Sequence, residues 1–126
     1  MHEPPLVLLI DDDPQIHDLY KTRLTKAGFE VREAWNGEEG LKSARAEKPD
    51  FILLDVMMPV MDGTRTLLEL KEDKELQNIP VLFLTSLEDR PVDVRVAKEV
   101  GAVDFINKAV DFQELLTKIK GTLNIK

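Results

Sequence analysis

The chain has 126 residues, and 17 Lys and Arg against 24 Asp and Glu give it a formal net charge of −7. That length holds one compact domain, and 43% apolar residues supply a core that a disordered chain lacks. The acidic balance disfavours a nucleic-acid surface. The absence of cysteine excludes a disulfide scaffold, a thiol nucleophile and a cysteine-bound metal, and no apolar run approaches the ~18 residues of a membrane span.

The opening Met1-His2-Glu3-Pro4-Pro5 lacks the basic and apolar segments of a secretory signal. It reads as a short lead-in over residues 1–5 of a single domain spanning 1–126, and the expected location is the cytoplasm. Leu6 to Ile10 is an unbroken apolar run, too short for a helix and typical of a strand buried on both faces. Pro14 follows acidic residues at the start of a helix, in which Ile16, Leu19, Tyr20, Leu24 and Ala27 recur at helical spacing before the stop at Gly28.

The same cycle repeats along the chain. Phe29 and Val31 mark a short second strand, and Asn36-Gly37 turns into a helix with Leu41 and Ala44 that Pro49 ends. Phe51 to Leu54 is the third strand, and after a loop from Asp55 to Gly63 a helix carries Leu67, Leu68 and Leu70. Val81 to Leu84 is the fourth strand, followed by a fourth helix through Val92, Val96, Ala97 and Val100 to Gly101. Val103 to Ile106 gives a fifth strand, and Phe112, Leu115, Leu116 and Ile119 stripe a last helix. Strict alternation implies an α/β fold, with right-handed crossovers and a parallel sheet covered by helices on both faces.

In such sheets ligands bind outside the carboxyl ends of the strands. Strand one ends in Asp11-Asp12-Asp13, strand three in Asp55, strand four in Thr85-Ser86, and strand five in Asn107-Lys108. Carboxylates gathered at one edge repel unless their pKa values rise or a cation joins them. Oxygen-only ligands suit a hard divalent cation, and Mg2+ fits better than calcium because the acidic run lacks the spaced ligands and turn glycine of a calcium loop. A carboxylate beside Mg2+ can act as a nucleophile toward phosphorus. The metal could then hold one oxygen of a transferring phosphoryl group, Lys108 another, and the Thr85 hydroxyl or backbone N–H groups a third.

These residues resemble the receiver domain of two-component response regulators, of the single-domain chemotaxis type. The matching stretches are Leu8 to Pro14, Leu53 to Gly63, Leu84-Thr85-Ser86 and Gly101 to Lys108, in family order over essentially the whole chain. The resemblance implies a flavodoxin-like, doubly wound, five-stranded parallel sheet of order 2-1-3-4-5 with five helices. It implies that Asp55 is the phosphoacceptor, that Asp12 ligates Mg2+ directly and Asp11 mainly through water, and that Asp55 and the Met57 backbone carbonyl complete the metal site. Lys108 would bridge to the phosphoryl group, and Thr85 would bond one of its oxygens, with Phe105 following as the aromatic switch. The donor would be a sensor histidine kinase or a histidine phosphotransfer protein docking on the first helix. A downstream effector would read the face formed by the fourth helix, fifth strand and fifth helix, with a phosphorylation-dependent homodimer compatible with that scheme.

Three departures from the family pattern carry expectations. Ala109 stands where the family has proline after the lysine, and a cis bond before alanine costs about 2.5–4 kcal/mol against about 0.5–1 before proline. Either a strained cis peptide or a displaced trans loop is expected there. Met57 and Leu87 cannot activate a hydrolytic water, so a long-lived phosphoryl group is expected. Phe105 lacks a hydroxyl and can swing from exposed to buried without orphaning a polar group.

Plainer readings stand beside these. Asp13 reads as an N-terminal helix residue, Ser86 as structural, Met57, Met58 and Met61 side chains as loop packing, and Asp62-Gly63 as a turn and helix start. His17, beside the apolar stripe, reads as a solvated surface residue, and Trp35 as partly packed in the loop after strand two. A phosphatase or phosphotransferase would place a second acid where Met57 stands, so the expected chemistry is limited to the domain's own phosphorylation and dephosphorylation. A carrier of a phosphate-bearing cofactor would show Ser, Thr or Gly donors in place of Asp11-Asp12-Asp13. A receiver-like interaction module that no longer uses phosphorylation is the alternative that Ala109 keeps open.

Overall fold

Leu6–Ile10 contains no polar side chain and forms β1, buried along its full length. The computed structural model describes residues 1–56, 58, 60–86, 99–108 and 112–125. In it, β1 is followed by α1 (Pro14–Lys26), β2 (Glu30–Ala34), α2 (Gly37–Ala46), β3 (Phe51–Asp55), α3 (Gly63–Glu72), β4 (Val81–Thr85), β5 (Asp104–Asn107) and α4 (Phe112–Leu123). All four strand pairings are parallel and the sheet order is β2-β1-β3-β4-β5, the order that the family resemblance implies.

The described residues hold four helices rather than the expected five. Of the helix expected around Val92, Val96, Ala97 and Val100, only Glu99 and Val100 fall among them, and both are helical. The other three lie outside the described residues.

Because side chains alternate across a strand, each central strand feeds two cores. Leu8, Ile10, Ile52, Leu54 and Phe83 pack with Leu41 and Ala44 of α2 and Leu67 and Leu70 of α3. Val7, Leu9, Phe51, Leu53 and Leu84 pack with Tyr20 and Leu24 of α1 and Leu115 and Ile119 of α4. Each such large side chain contributes about 1.5–3 kcal/mol through burial, which makes the middle of the sheet a rigid platform.

The differences from expectation have local causes. Phe29 is buried just ahead of β2, whose own residues Glu-Val-Arg-Glu-Ala are largely polar, as an edge strand permits. β5 begins one residue later than expected, so its final Asn107 pairs with Thr85 and the Lys108 N–H donates to the Thr85 carbonyl at 2.8 Å. Leu19 and Leu68, assigned to apolar stripes, are exposed. In α1 the buried stripe is His17, Tyr20 and Leu24, whose spacing of three and four residues also follows a helix face.

The described helices start at the carboxyl edge of the sheet, and α1, α2 and α3 are each capped by their own sequence. Asp13 accepts from the Gln15 N–H ahead of Pro14, Asn36 from Glu39, and Asp62 from Arg65, satisfying donors that a helix start leaves free. Asp13 and Asp62, read from the sequence as helix-start residues, thus serve as caps.

Candidate functional site

β1 and β3 are paired with Ile10 beside Leu54, so the next residues, Asp11 and Asp55, leave the sheet side by side on strands roughly 4.8 Å apart. This is also the switch point of the sheet, where the chain departs to β2 on one side and β3 on the other, opening a crevice. Gly63 keeps the floor narrow: a Cβ there would collide with the Asp55 carbonyl, Val56 and Phe83. Instead its N–H donates to the Val56 carbonyl at 2.8 Å, and α3 begins directly against the end of β3.

Asp11 and Asp55 are both buried, at 0% and 4% exposure, while Asp12 is exposed at the mouth. Oxygens from all three lie within 4.8 Å of one another. Lys108 reaches in from the end of β5, its Nζ 2.8 Å from Asp11 Oδ2 and 3.2 Å from Asp55 Oδ1. Asp11 Oδ1 accepts from the Asp13 N–H at 2.9 Å, but the buried Oδ2 has no hydrogen bond of good geometry despite its ion pair.

The electrostatics follow from this placement. Burial, then the neighbouring Asp11 charge, push the Asp55 carboxyl up to about 7 against the opposing pull of Lys108. Burial lowers the Lys108 ammonium, yet its contacts with Asp11 and Asp55 outweigh that loss and leave it raised. Once Asp55 is ionised, three carboxylates against one ammonium leave two negative charges, which one divalent cation balances.

The donor set fits Mg2+. It is all oxygen, the buried Asp11 Oδ2 is met by the Lys108 ammonium without a well-aligned hydrogen bond, and the 4.8 Å spread only slightly exceeds the ~4.2 Å across an octahedral shell with 2.1 Å bonds. Asp11, Asp12 and Asp55 would hold the ion. The Met57 carbonyl, assigned as a further ligand, lies outside the described residues, as do Leu87 and the Lys108–Ala109 peptide.

Thr85 is buried, and its hydroxyl donates to the Ile106 carbonyl at 3.3 Å. Phe105, next to that carbonyl, is 40% exposed. The two assigned switch residues therefore touch neighbouring points of the β4–β5 pair.

His17 corrects the sequence reading. It is 1% exposed, with Nε2 2.7 Å from the Asp11 carbonyl and Nδ1 2.7 Å from Glu33 Oε2. Trp35 stacks on its ring at 3.7 Å between centroids, in line with the partial packing expected of that indole. A polar ring is tolerated inside because both nitrogens find acceptors. Burial raises the Glu33 carboxyl, but hydrogen bonds from Lys21 and His17 more than offset this and lower it overall. The sequence signal was the His17-Tyr20-Leu24 spacing together with an acid on the facing strand.

The fold and pocket define an α/β domain with a buried acidic centre at the β1/β3 switch point. Residues 7–120 match the model of the response regulator receiver domain, and the chain belongs to that family, the signalling domain of two-component systems.

Among curated relatives, protein PilH of Pseudomonas aeruginosa is 38% identical over 119 residues, covering 93% of this chain and 96% of its own length. The transcriptional regulator RpaA of Synechocystis is 37% identical over 119 residues, covering 94% of this chain but 49% of its own length. Several curated relatives are thus about twice as long as the stretch matched, and one, a hybrid histidine kinase of Dictyostelium discoideum, is matched over only 8% of its length. A crystal structure of a response regulator from Chloroflexus aurantiacus superposes with a TM-score of 0.91 at 31% identity, covering 97% of this chain and 99% of that one. The chemotaxis protein CheY4 of Vibrio cholerae gives 0.85 at 31% identity, covering 93% and 97%.

Proposed function

We propose that this domain takes a phosphoryl group onto Asp55 with Mg2+ and relays the event through its fifth strand and the helices beside it. The observation that carries the reading is the pairing of two buried carboxylates, Asp11 and Asp55, around Lys108 with Asp12 at the mouth. The excess charge there is costly until a cation arrives.

Asp11, Asp12 and Asp55 would hold the metal, which would supply positive charge to balance that on the phosphoryl oxygens. An Asp55 oxygen attacks phosphorus in line with the donor nitrogen. The new O–P bond forms as the P–N bond of a phosphohistidine breaks, and the departing imidazole retains the electron pair and takes up a proton. Lys108 holds one phosphoryl oxygen throughout.

Thr85 supplies the differential contact that a switch requires. Its hydroxyl leaves the Ile106 carbonyl for a phosphoryl oxygen, and Phe105 follows from its exposed position toward the space that Thr85 vacates. The effector-facing surface is then β5 and α4, with the helix expected over 92–100 completing it. The donor is a sensor histidine kinase or phosphotransfer protein, docking on α1. The setting is the cytoplasm, and the only chemistry is the domain's own phosphorylation and dephosphorylation.

Incubation with Mg2+ and acetyl phosphate, followed by intact mass measurement, tests this. One phosphoryl group should be gained, and Asp55→Asn should abolish the gain. An unmodified wild-type chain under conditions where Mg2+ binds would sink the reading in favour of an interaction module.

A further inference from the structure

We infer that His17 is a positioning residue for the cation site, holding the Asp11–Asp12 peptide by donating from Nε2 to the Asp11 carbonyl. The inference rests on the Mg2+ reading given above and adds to it a residue that touches neither metal nor phosphoryl group.

The chemistry of the partners fixes the direction of each bond. A backbone carbonyl only accepts, so the 2.7 Å contact to Asp11 requires a proton on Nε2, whatever Nδ1 carries. At Nδ1 the ring meets a Glu33 carboxylate oxygen, which accepts as well. Glu33 is held in turn by Lys21, 3.1 Å from its other oxygen. The ring is further fixed by the Trp35 stack, leaving its plane little freedom to rotate.

What this bond controls is the turn between the two ligands. The Asp11 carbonyl belongs to the peptide that leads into Asp12, so its orientation sets the direction in which the Asp12 side chain leaves. The Asp11 N–H is anchored to the Ala34 carbonyl and the Asp13 N–H to Asp11 Oδ1. With His17 on the remaining carbonyl, the backbone between a buried ligand and an exposed one is pinned at three points. Residues that orient metal ligands through such hydrogen bonds typically change metal affinity 10–100-fold when removed.

The test compares two substitutions of matched polarity. Gln places an amide N–H at about the reach of Nε2, whereas the shorter Asn reaches only as far as Nδ1. In calorimetric Mg2+ titrations, His17→Asn should weaken binding about tenfold and His17→Gln by less than about threefold. A residue that merely fills space predicts equal loss from both, so equal weakening, or none in either, would overturn the inference. A second measurement needs no variant: a long-range proton–nitrogen spectrum of the wild-type chain should show Nε2 protonated, and a bare Nε2 would overturn the inference equally. Wild-type protein that fails to bind Mg2+ would instead overturn the reading beneath it.

Discussion

The two ends of the sheet handle acidic side chains in opposite ways. At the amino end, Asp50 accepts from the Leu6 N–H at 2.8 Å and the His2 N–H at 3.0 Å, and the His2 ring donates to the Lys48 carbonyl. The lead-in is thereby tied to the turn before β3, and the carboxylate serves neutral donors beside it. At the carboxyl end, Asp11 and Asp55 share Lys108, and Asp12 lies beside them at the mouth. A carboxylate answered by backbone donors is structural; carboxylates left with surplus charge in a buried place are waiting for a ligand.

The largest effect should come from exchanging the roles of the two ends. Asp12→Ala should weaken Mg2+ binding on the order of 100-fold in calorimetric titration while barely moving the thermal midpoint. Asp50→Ala should do the reverse, leaving Mg2+ affinity unchanged and costing about 1–2 kcal/mol in urea unfolding as the two N–H groups lose their acceptor. If both changes acted alike, the contrast between the ends would fail.

Acidity sharpens the contrast next. Asp55 holds its proton up to about 7 in the fold, so proton and metal compete below that pH. Mg2+ affinity should rise about tenfold per pH unit between 5 and 7 and level off above. An affinity already flat at pH 5 would contradict the geometry of the pocket.

A smaller effect concerns stability without metal. The folded-state value for Asp55 lies above its ordinary 3.8, so the fold binds this proton more tightly than the unfolded chain. The resulting stabilisation is full below 3.8 and is lost as pH rises through about 7. At pH 8 Asp55→Asn, which removes the charge, should therefore stabilise the metal-free domain by about 2 kcal/mol, roughly half the full linkage value because solvent reaches the mouth of the site. The gain should vanish at pH 4. Chemical denaturation at the two pH values measures it.

The smallest effect lies in the loop leaving β3. Val60 has φ 71° and is 80% exposed, a left-handed conformation that a β-branched side chain resists. Val60→Asn should stabilise the domain by about 1 kcal/mol in the same unfolding assay, without altering Mg2+ affinity.

Much of this was written in the chain. The apolar runs Leu6–Ile10, Phe51–Leu54 and Val81–Leu84 mark the buried strands, because a short unbroken run of four or five apolar residues is hidden most simply in a strand covered on both faces. Their polar successors Asp11, Asp55 and Thr85 mark the site, because a parallel sheet brings its strand ends to one edge. The positions of Leu19 and Leu68 were not legible in the same way: an apolar residue at the border of a stripe is buried only if a neighbouring element reaches it.

What the sequence determined alone is therefore the alternation of strands and helices, the helix starts around Asp13, Asn36 and Asp62, and the inventory of charged groups at the strand ends. Only the tertiary structure decided which groups touch: Lys108 between Asp11 and Asp55, Thr85 held by Ile106, and His17 turned inward onto Asp11, Glu33 and Trp35. The reason is physical. Propensity and periodicity act over a few residues, whereas hydrogen bonds and ion pairs between strands depend on register and helix rotation, which are fixed when the two cores on either side of the sheet close.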